Sequence, residues 1–129
     1  RINLSAEIEE LRRSLNSFEV ERLKQIGSDA AKSLGESMLK ISPKMSEVGA
    51  AGVIAENLWA HNLEPVVLLV AGSERIESFR HPLPTTNLIG SLAMGVICAR
   101  RKGLIASVTR IASFNSLSKY FNSQKKKKE

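Results

Sequence analysis

Residues 92–111, LAMGVICARRKGLIASVTRI, restrict the fold more than any other part of the chain: two apolar runs flank the basic group Arg100, Arg101, Lys102 and Gly103. Runs of strand length, rich in β-branched and small apolar side chains and split by a glycine-containing turn, predict a β-hairpin over 92–99 and 104–111. Gly103 would supply the positive φ of the turn. Upstream, VVLLVAG ends at Gly72 and predicts another strand. Its lack of polar alternation implies that both of its faces are covered.

Before Pro65 the apolar period is helical. Ile8, Leu11 and Leu15 predict a short amphipathic helix over 6–15 with Ser5 as its cap. Asn16 with Glu19 three residues on has the spacing of a capping box, opening a helix over 18–39. Val20, Leu23, Ile26, Ala30, Leu34 and Met38 form its expected buried stripe, and Gly27 and Gly35 are expected to mark close helix contacts. After the break at Ile41, Ser42 and Pro43, Ser46 is placed to cap a helix over 47–61. Its expected apolar face is Val48, Ala51, Ile54, Ala55 and Leu58, with Trp59 as an anchor. Helices followed by a strand and a hairpin give an α+β chain, with the helices on one face of a curved antiparallel sheet.

At 129 residues and 43% hydrophobic content the chain fits one small domain, 1–114, followed by a polar loop and disordered tail, 115–129. No apolar run reaches the ~20 residues of a membrane span, so no membrane association and a cytoplasmic location are expected. Cys98 has no cysteine partner, fits a reducing compartment, and is expected to be buried in its strand. Half of the formal net charge of +6 sits in Lys125, Lys126, Lys127, Lys128 and Glu129. Such a tail binds polyanions without sequence preference, because it neutralises phosphates and reads no bases.

The segment from Phe79 to Arg110 resembles the metal-binding hairpin of the creatinase, prolidase and Xaa-Pro aminopeptidase family, a "pita-bread" metallopeptidase fold. That family carries a His, then Gly-Asp, then Asp-x-Gly-Ala, then Gly-Tyr-x-Ser-Asp-x-Thr-Arg. Anchored on Thr109 and Arg110, the pattern puts Gly103 at the hairpin glycine, Ala99 at the Ala, and Gly90 with Leu92 at the strand entry. His81 matches the His, and Lys44, Met45, Ser46, Glu47 loosely resembles a Gly-x-Thr-Glu helix start. The resemblance spans roughly residues 10–114 and implies about half of a pita-bread domain.

By the same resemblance, the two carboxylate positions fall on Val96 and Ser107. A pair of divalent ions needs hard anionic oxygens, which valine lacks and a neutral serine hydroxyl replaces poorly. The family's other ligands, a His and two Glu, lie beyond Thr-Arg, whereas residues 111–129 hold no His and only Glu129. The chain is therefore expected to hold no metal or other cofactor and to have no catalytic residue, with His81 as its candidate substrate-binding residue.

Other constellations are weaker. His61 belongs at a helix end, where a cation suits the dipole. Glu74 and Glu77 fit a solvated loop, and Ser107 and Thr109 share a strand face without an identifiable base. No nucleophile elbow, P-loop or dinucleotide fingerprint occurs. The expectation is thus a catalytically inactive peptidase-like domain with a peptide-like ligand and a second copy of the chain as partners. Two alternatives stand beside it: a fragment of an active aminopeptidase or related hydrolase with a divergent site, and a basic protein- or nucleic-acid-interaction module.

Overall fold

The structure, a computed structural model, describes residues 3–115. Three helices, α1 (Ser5–Arg13), α2 (Ser17–Lys40) and α3 (Glu47–Ala60), precede three strands, β1 (Glu64–Gly72), β2 (Leu92–Arg101) and β3 (Leu104–Ser113). The strands form one antiparallel sheet in the order β1-β2-β3. Helix α2 crosses β3 and β2, α3 crosses β1, and the two helices pack together on the same face of the sheet. The expected α+β arrangement is the observed one. No helix among the described residues is long and apolar enough to cross a membrane.

Local chemistry explains the boundaries. Asn16 Oδ1 accepts from Glu19 N at 2.9 Å and Glu19 Oε2 accepts from Asn16 N at 2.9 Å, the reciprocal capping box that starts α2. Ser46 Oγ accepts from Gly49 N at 3.0 Å and starts α3. Asn62 closes α3 with a φ of 55°, and Leu63 N donates to Leu58 O at 2.9 Å. The turn between β2 and β3 is tighter than the four residues expected. Only Lys102 (φ 49°) and Gly103 (φ 83°) leave the strands, and left-handed φ at both central positions matches the strand twist.

The core lies between the helices and one sheet face: Ile26, Ala30, Leu34 and Met38 from α2, Ile54 and Leu58 from α3, and Val70, Ala93, Ile97 and Ala99 from the sheet. Within it Asn57 crosses from α3 to donate to Ser33 O at 2.7 Å and Ser37 Oγ at 3.2 Å, so its buried amide is satisfied. Arg101 ties the hairpin to both helices through Asp29 at 2.7 Å and the carbonyl of His61 at 2.7 Å.

Several expectations fail, and each failure is physical. Ser5 lies inside α1 and does not cap it; Leu4 stands at the cap, and the Ser5 N–H donates to Asn3 Oδ1 at 3.0 Å. Helix α1 buries none of its residues, and Leu11 is 82% exposed. On α2, Val20 faces solvent and a Cβ at Gly27 or Gly35 would meet nothing, so neither glycine marks a close contact among the described residues. Helix α3 is rotated from its expected face: Glu47 and Ala50 are buried while Val48 and Trp59 (58%) are exposed. In β1 only the C-terminal half is covered, since Val66 and Val67 are exposed.

Two glycines set how closely the layers approach. A Cβ at Gly95 would meet only side-chain ends, Leu34 Cδ1, Met38 Sδ and Ile54 Cδ1, at 3.2–3.3 Å. At Gly72 it would meet the backbone oxygens of Ile89 and Leu88 at 2.6 Å, which cannot rotate away. Gly72→Ala is therefore expected to destabilise the fold by about 3 kcal/mol and Gly95→Ala by about 1 kcal/mol, read from urea unfolding midpoints. Equal effects would mean that the loop against Gly72 yields as easily as the core.

Candidate functional site

Strand alternation sends the hairpin side chains to two faces. Val96, Cys98, Ser107 and Thr109 lie on the face away from the helices, with Val96 opposite Thr109 and Cys98 opposite Ser107. Val96 and Ser107 thus sit one register step apart on neighbouring strands. Their chemistry is neutral: Ser107 Oγ lies 3.2 Å from Cys98 Sγ and has no acid or imidazole beside it. Cys98 is half-buried on this open face, unlike the buried thiol expected, because nothing among the described residues covers that side. Thr109 is exposed, and Arg110 turns to the other face, where its guanidinium donates to the carbonyl of Thr109 at 2.9 Å.

His81 is exposed on the loop that joins β1 to β2, next to buried Pro82. Among the described residues no hydrogen bond joins it to the hairpin, so the structure presents the imidazole without assembling a site around it. Glu74 and Glu77 are exposed on the same loop. His61 caps α3 with Nδ1 2.9 Å from Asn57 O, in keeping with a structural place. Among the described residues no group of three His, Cys, Asp or Glu side chains is placed to hold a metal ion. The donors present do not fit a pair of divalent ions. Lys125, Lys126, Lys127 and Lys128 lie outside the described residues.

The residue that positions this loop is Glu47, whose place in the core the helical pattern missed. Its side chain is fully buried at the start of α3. Oε1 accepts from Gly72 N at 2.8 Å; Oε2 accepts from Thr85 N at 2.9 Å, from Thr85 Oγ1 at 2.7 Å and from the Arg75 guanidinium. Arg75 also donates to Leu83 O at 3.0 Å and lies over the Phe79 ring at 4.8 Å. Main-chain bonds continue the seam: Glu47 N to Asn87 O and Val48 N to Thr85 O at 2.9 Å, then Ile89 N to Met45 O at 2.9 Å. The loop carrying His81 is therefore fastened at both shoulders to the N-terminus of α3. The one available signal for Glu47 was the loose likeness of Lys44, Met45, Ser46, Glu47 to a Gly-x-Thr-Glu start.

Burial alone would raise the pKa of Glu47, but the Gly72 N–H, the Thr85 hydroxyl and N–H, and the Arg75 guanidinium outweigh it and hold the carboxyl below its ordinary value. The anion is the form the fold uses.

No family model matches the chain, and no curated protein does. Solved structures do resemble it. An X-Pro aminopeptidase from Thermotoga maritima MSB8 superposes with a TM-score of 0.80 at 19% identity, over 95% of this chain and 36% of that one. Dipeptidase PepE from Mycobacterium ulcerans gives 0.79 at 17% identity, over 89% and 32%. An Xaa-Pro dipeptidase from Bacillus anthracis gives 0.72 at 18% identity, over 89% and 34%. The chain spans about a third of the length of these structures. Its fold is that of a partial pita-bread domain.

A carboxyl whose pKa falls on folding stabilises fully above its unfolded value of ~4.3, and that stability is lost as pH drops through the lower folded value. Glu47→Gln is expected to cost about 3–5 kcal/mol at pH 7, because Arg75 is left without its anion. It should also flatten the acid limb of stability against pH. Urea unfolding from neutral to acidic pH measures both; an unchanged acid limb would show that other carboxyls cause it.

Proposed function

We propose that this chain is a peptidase-like domain that does not hydrolyse peptides and that presents the His81 loop to a peptide-like ligand. One observation carries the reading. The two hairpin positions that resemblance aligns with metal-binding carboxylates hold Val96 and Ser107, on one open face where their directly opposed partners, Thr109 and Cys98, are uncharged. The likeness in fold to Xaa-Pro peptidases supports a peptide as the ligand class. An exposed imidazole can donate or accept a hydrogen bond at neutral pH, which suits recognition of a peptide carboxylate or carbonyl. The rigid support of its loop by Glu47 favours a preformed contact.

The basic-module reading has less to stand on in the folded part. Arg100 is held by Glu64 at 2.6 and 2.8 Å and Arg101 by Asp29, so the basic turn is largely neutralised from within. Polyanion binding then falls to Lys125, Lys126, Lys127 and Lys128.

Three outcomes follow. After dialysis the chain should retain no stoichiometric zinc, manganese or cobalt by elemental analysis, and the Val96→Asp/Ser107→Asp variant should still leave a Gly-Pro dipeptide uncleaved. In titrations with that dipeptide, the NMR signals of His81 should shift, and His81→Ala should weaken binding by about tenfold, the equivalent of one hydrogen bond. A retained metal pair with dipeptide cleavage would replace this reading with that of a working hydrolase. Binding of a DNA oligomer should fall steeply with salt and vanish on removal of residues 125–129; discrimination between sequences by the shortened chain would favour the basic module.

A further inference from the structure

A small recess lies where the turn of the hairpin meets the first half of α2. Its walls are Arg22, Gln25 and Ile26 of the helix with Arg101 and Lys102 of the turn, and its volume is about 110 Å³. Sites for organic ligands run to roughly 300–1,000 Å³, so this one suits a single small ion or group. The i, i+3, i+4 spacing puts Arg22, Gln25 and Ile26 on one face of α2, and Ile26, at 2% exposure, gives the recess an apolar floor. The strand β3 leads away from this end of the sheet for ten residues, ~34 Å at about 3.4 Å per residue. Whatever follows β3 therefore starts from the opposite end.

Three of the five lining side chains are cationic and none is a carboxylate. Arg101 is the fixed wall: its guanidinium donates to Asp29 Oδ2 at 2.7 Å, to His61 O at 2.7 Å and to Asn62 O at 3.2 Å, and its side chain is 20% exposed. Those bonds use three of its five N–H groups and leave one on each terminal nitrogen. Arg22 lies over the Phe18 ring at 4.5 Å, a stacking that holds the guanidinium plane and leaves its edges open to an acceptor. Among the described residues neither Arg22 nor Lys102 pairs with a carboxylate, and Glu21, the neighbour of Arg22, turns to Lys24 at 3.9 Å. Asp29 offsets Arg101 alone, so the recess keeps two positive charges in excess. An anion seated between them removes their mutual repulsion, and the apolar floor strengthens its attraction.

The geometry points to an oxyanion site, and we propose that it takes a phosphate dianion, free or as a monoester group. Two excess positive charges match a group that carries close to −2 at pH 7. Guanidinium edges present the paired N–H groups that phosphate oxygens accept, and Lys102 adds a point charge from the turn. A carboxylate brings one charge, and so does each phosphate of a diester backbone, which leaves the monoester or free ion as the better match. A recess of this size takes one phosphate group and leaves polymer binding to the lysine run. The bound group ties α2 to the hairpin turn beside the Arg101–Asp29 pair, and so stabilises the fold as its concentration rises. None of these residues belongs to the His81 loop, and the inference is independent of any peptide ligand.

In amide NMR titrations of the 129-residue chain at pH 7.5 and constant ionic strength, sodium phosphate should shift the signals of Gln25, Arg101 and Lys102 to saturation, and sodium chloride should not. Neither Arg22 nor Lys102 is buried, so Arg22→Gln and Lys102→Gln should each keep the urea unfolding midpoint measured without phosphate. Each should weaken phosphate binding by about tenfold, the loss of one charge-assisted hydrogen bond. Both variants keep Lys125, Lys126, Lys127 and Lys128, so binding by that run would be the same in all three chains. Phenyl phosphate saturating at a lower concentration than inorganic phosphate would identify a monoester as the source, and the reverse order the free ion. Unchanged affinity in both variants, or shifts that chloride reproduces at the same ionic strength, would overturn the inference. So would a DNA oligomer without terminal phosphates that shifts the same signals and competes with phosphate, since the recess would then read a polymer backbone.

Discussion

A buried carboxylate holds the irregular half of this molecule in place. Glu47 accepts hydrogen bonds from the end of β1, from Arg75 in the following loop and from Thr85 near its far shoulder, groups 25, 28 and 38 residues away in sequence. Placing an anion in a core costs several kcal/mol unless its oxygens are filled, and here the donors come from the last residue of β1 and from the irregular loop that follows it. The carboxylate therefore acts as a template: the loop is ordered because its N–H groups and its guanidinium satisfy a charge that cannot leave. Gly72 completes the arrangement, since only a residue without a Cβ lets the β1 terminus lie against Leu88 and Ile89.

This dependence divides what the sequence makes legible from what it hides. The hairpin, the capping box at Asn16 and Glu19, and the Ser46 cap are written in residues within a few positions of each other, and all three are present. Ile26, Ala30, Leu34 and Met38 follow one period and are buried together. Glu47 defies the period because an acid reads as outward-facing until its distant donors are known. Taking it inward turns Val48 out and rotates the helix. Trp59 and the α1 stripe misled for a different reason: apolar character states a preference for burial but supplies no partner, and the described residues provide none.

The site was legible only in part. Alternation correctly placed Ser107 and Thr109 on one face, and register puts Val96 and Cys98 on that same face. Pairing distance was not legible. Ser107 meets Cys98 at 3.2 Å, a pair that resemblance to a metal-binding pattern gave no reason to consider.

The absence of charge at positions 96 and 107 bears on what the strand pairing needs. Two carboxylates at positions like 96 and 107, on adjacent strands one register step apart, would repel one another by roughly 3 kcal/mol at ~6 Å in an effective dielectric of 20. A hairpin so charged gains stability when a cation is bound and gives it up when the cation leaves. With Val96 and Ser107 at these positions the hairpin carries no such repulsion, so the strand pairing requires no ion to offset it. The same two side chains offer no anionic oxygen of the kind that holds a metal and activates water. The sheet thus presents apolar and hydroxyl side chains on that face, with the Arg100–Glu64 pair at one end, beside a loop braced by Glu47.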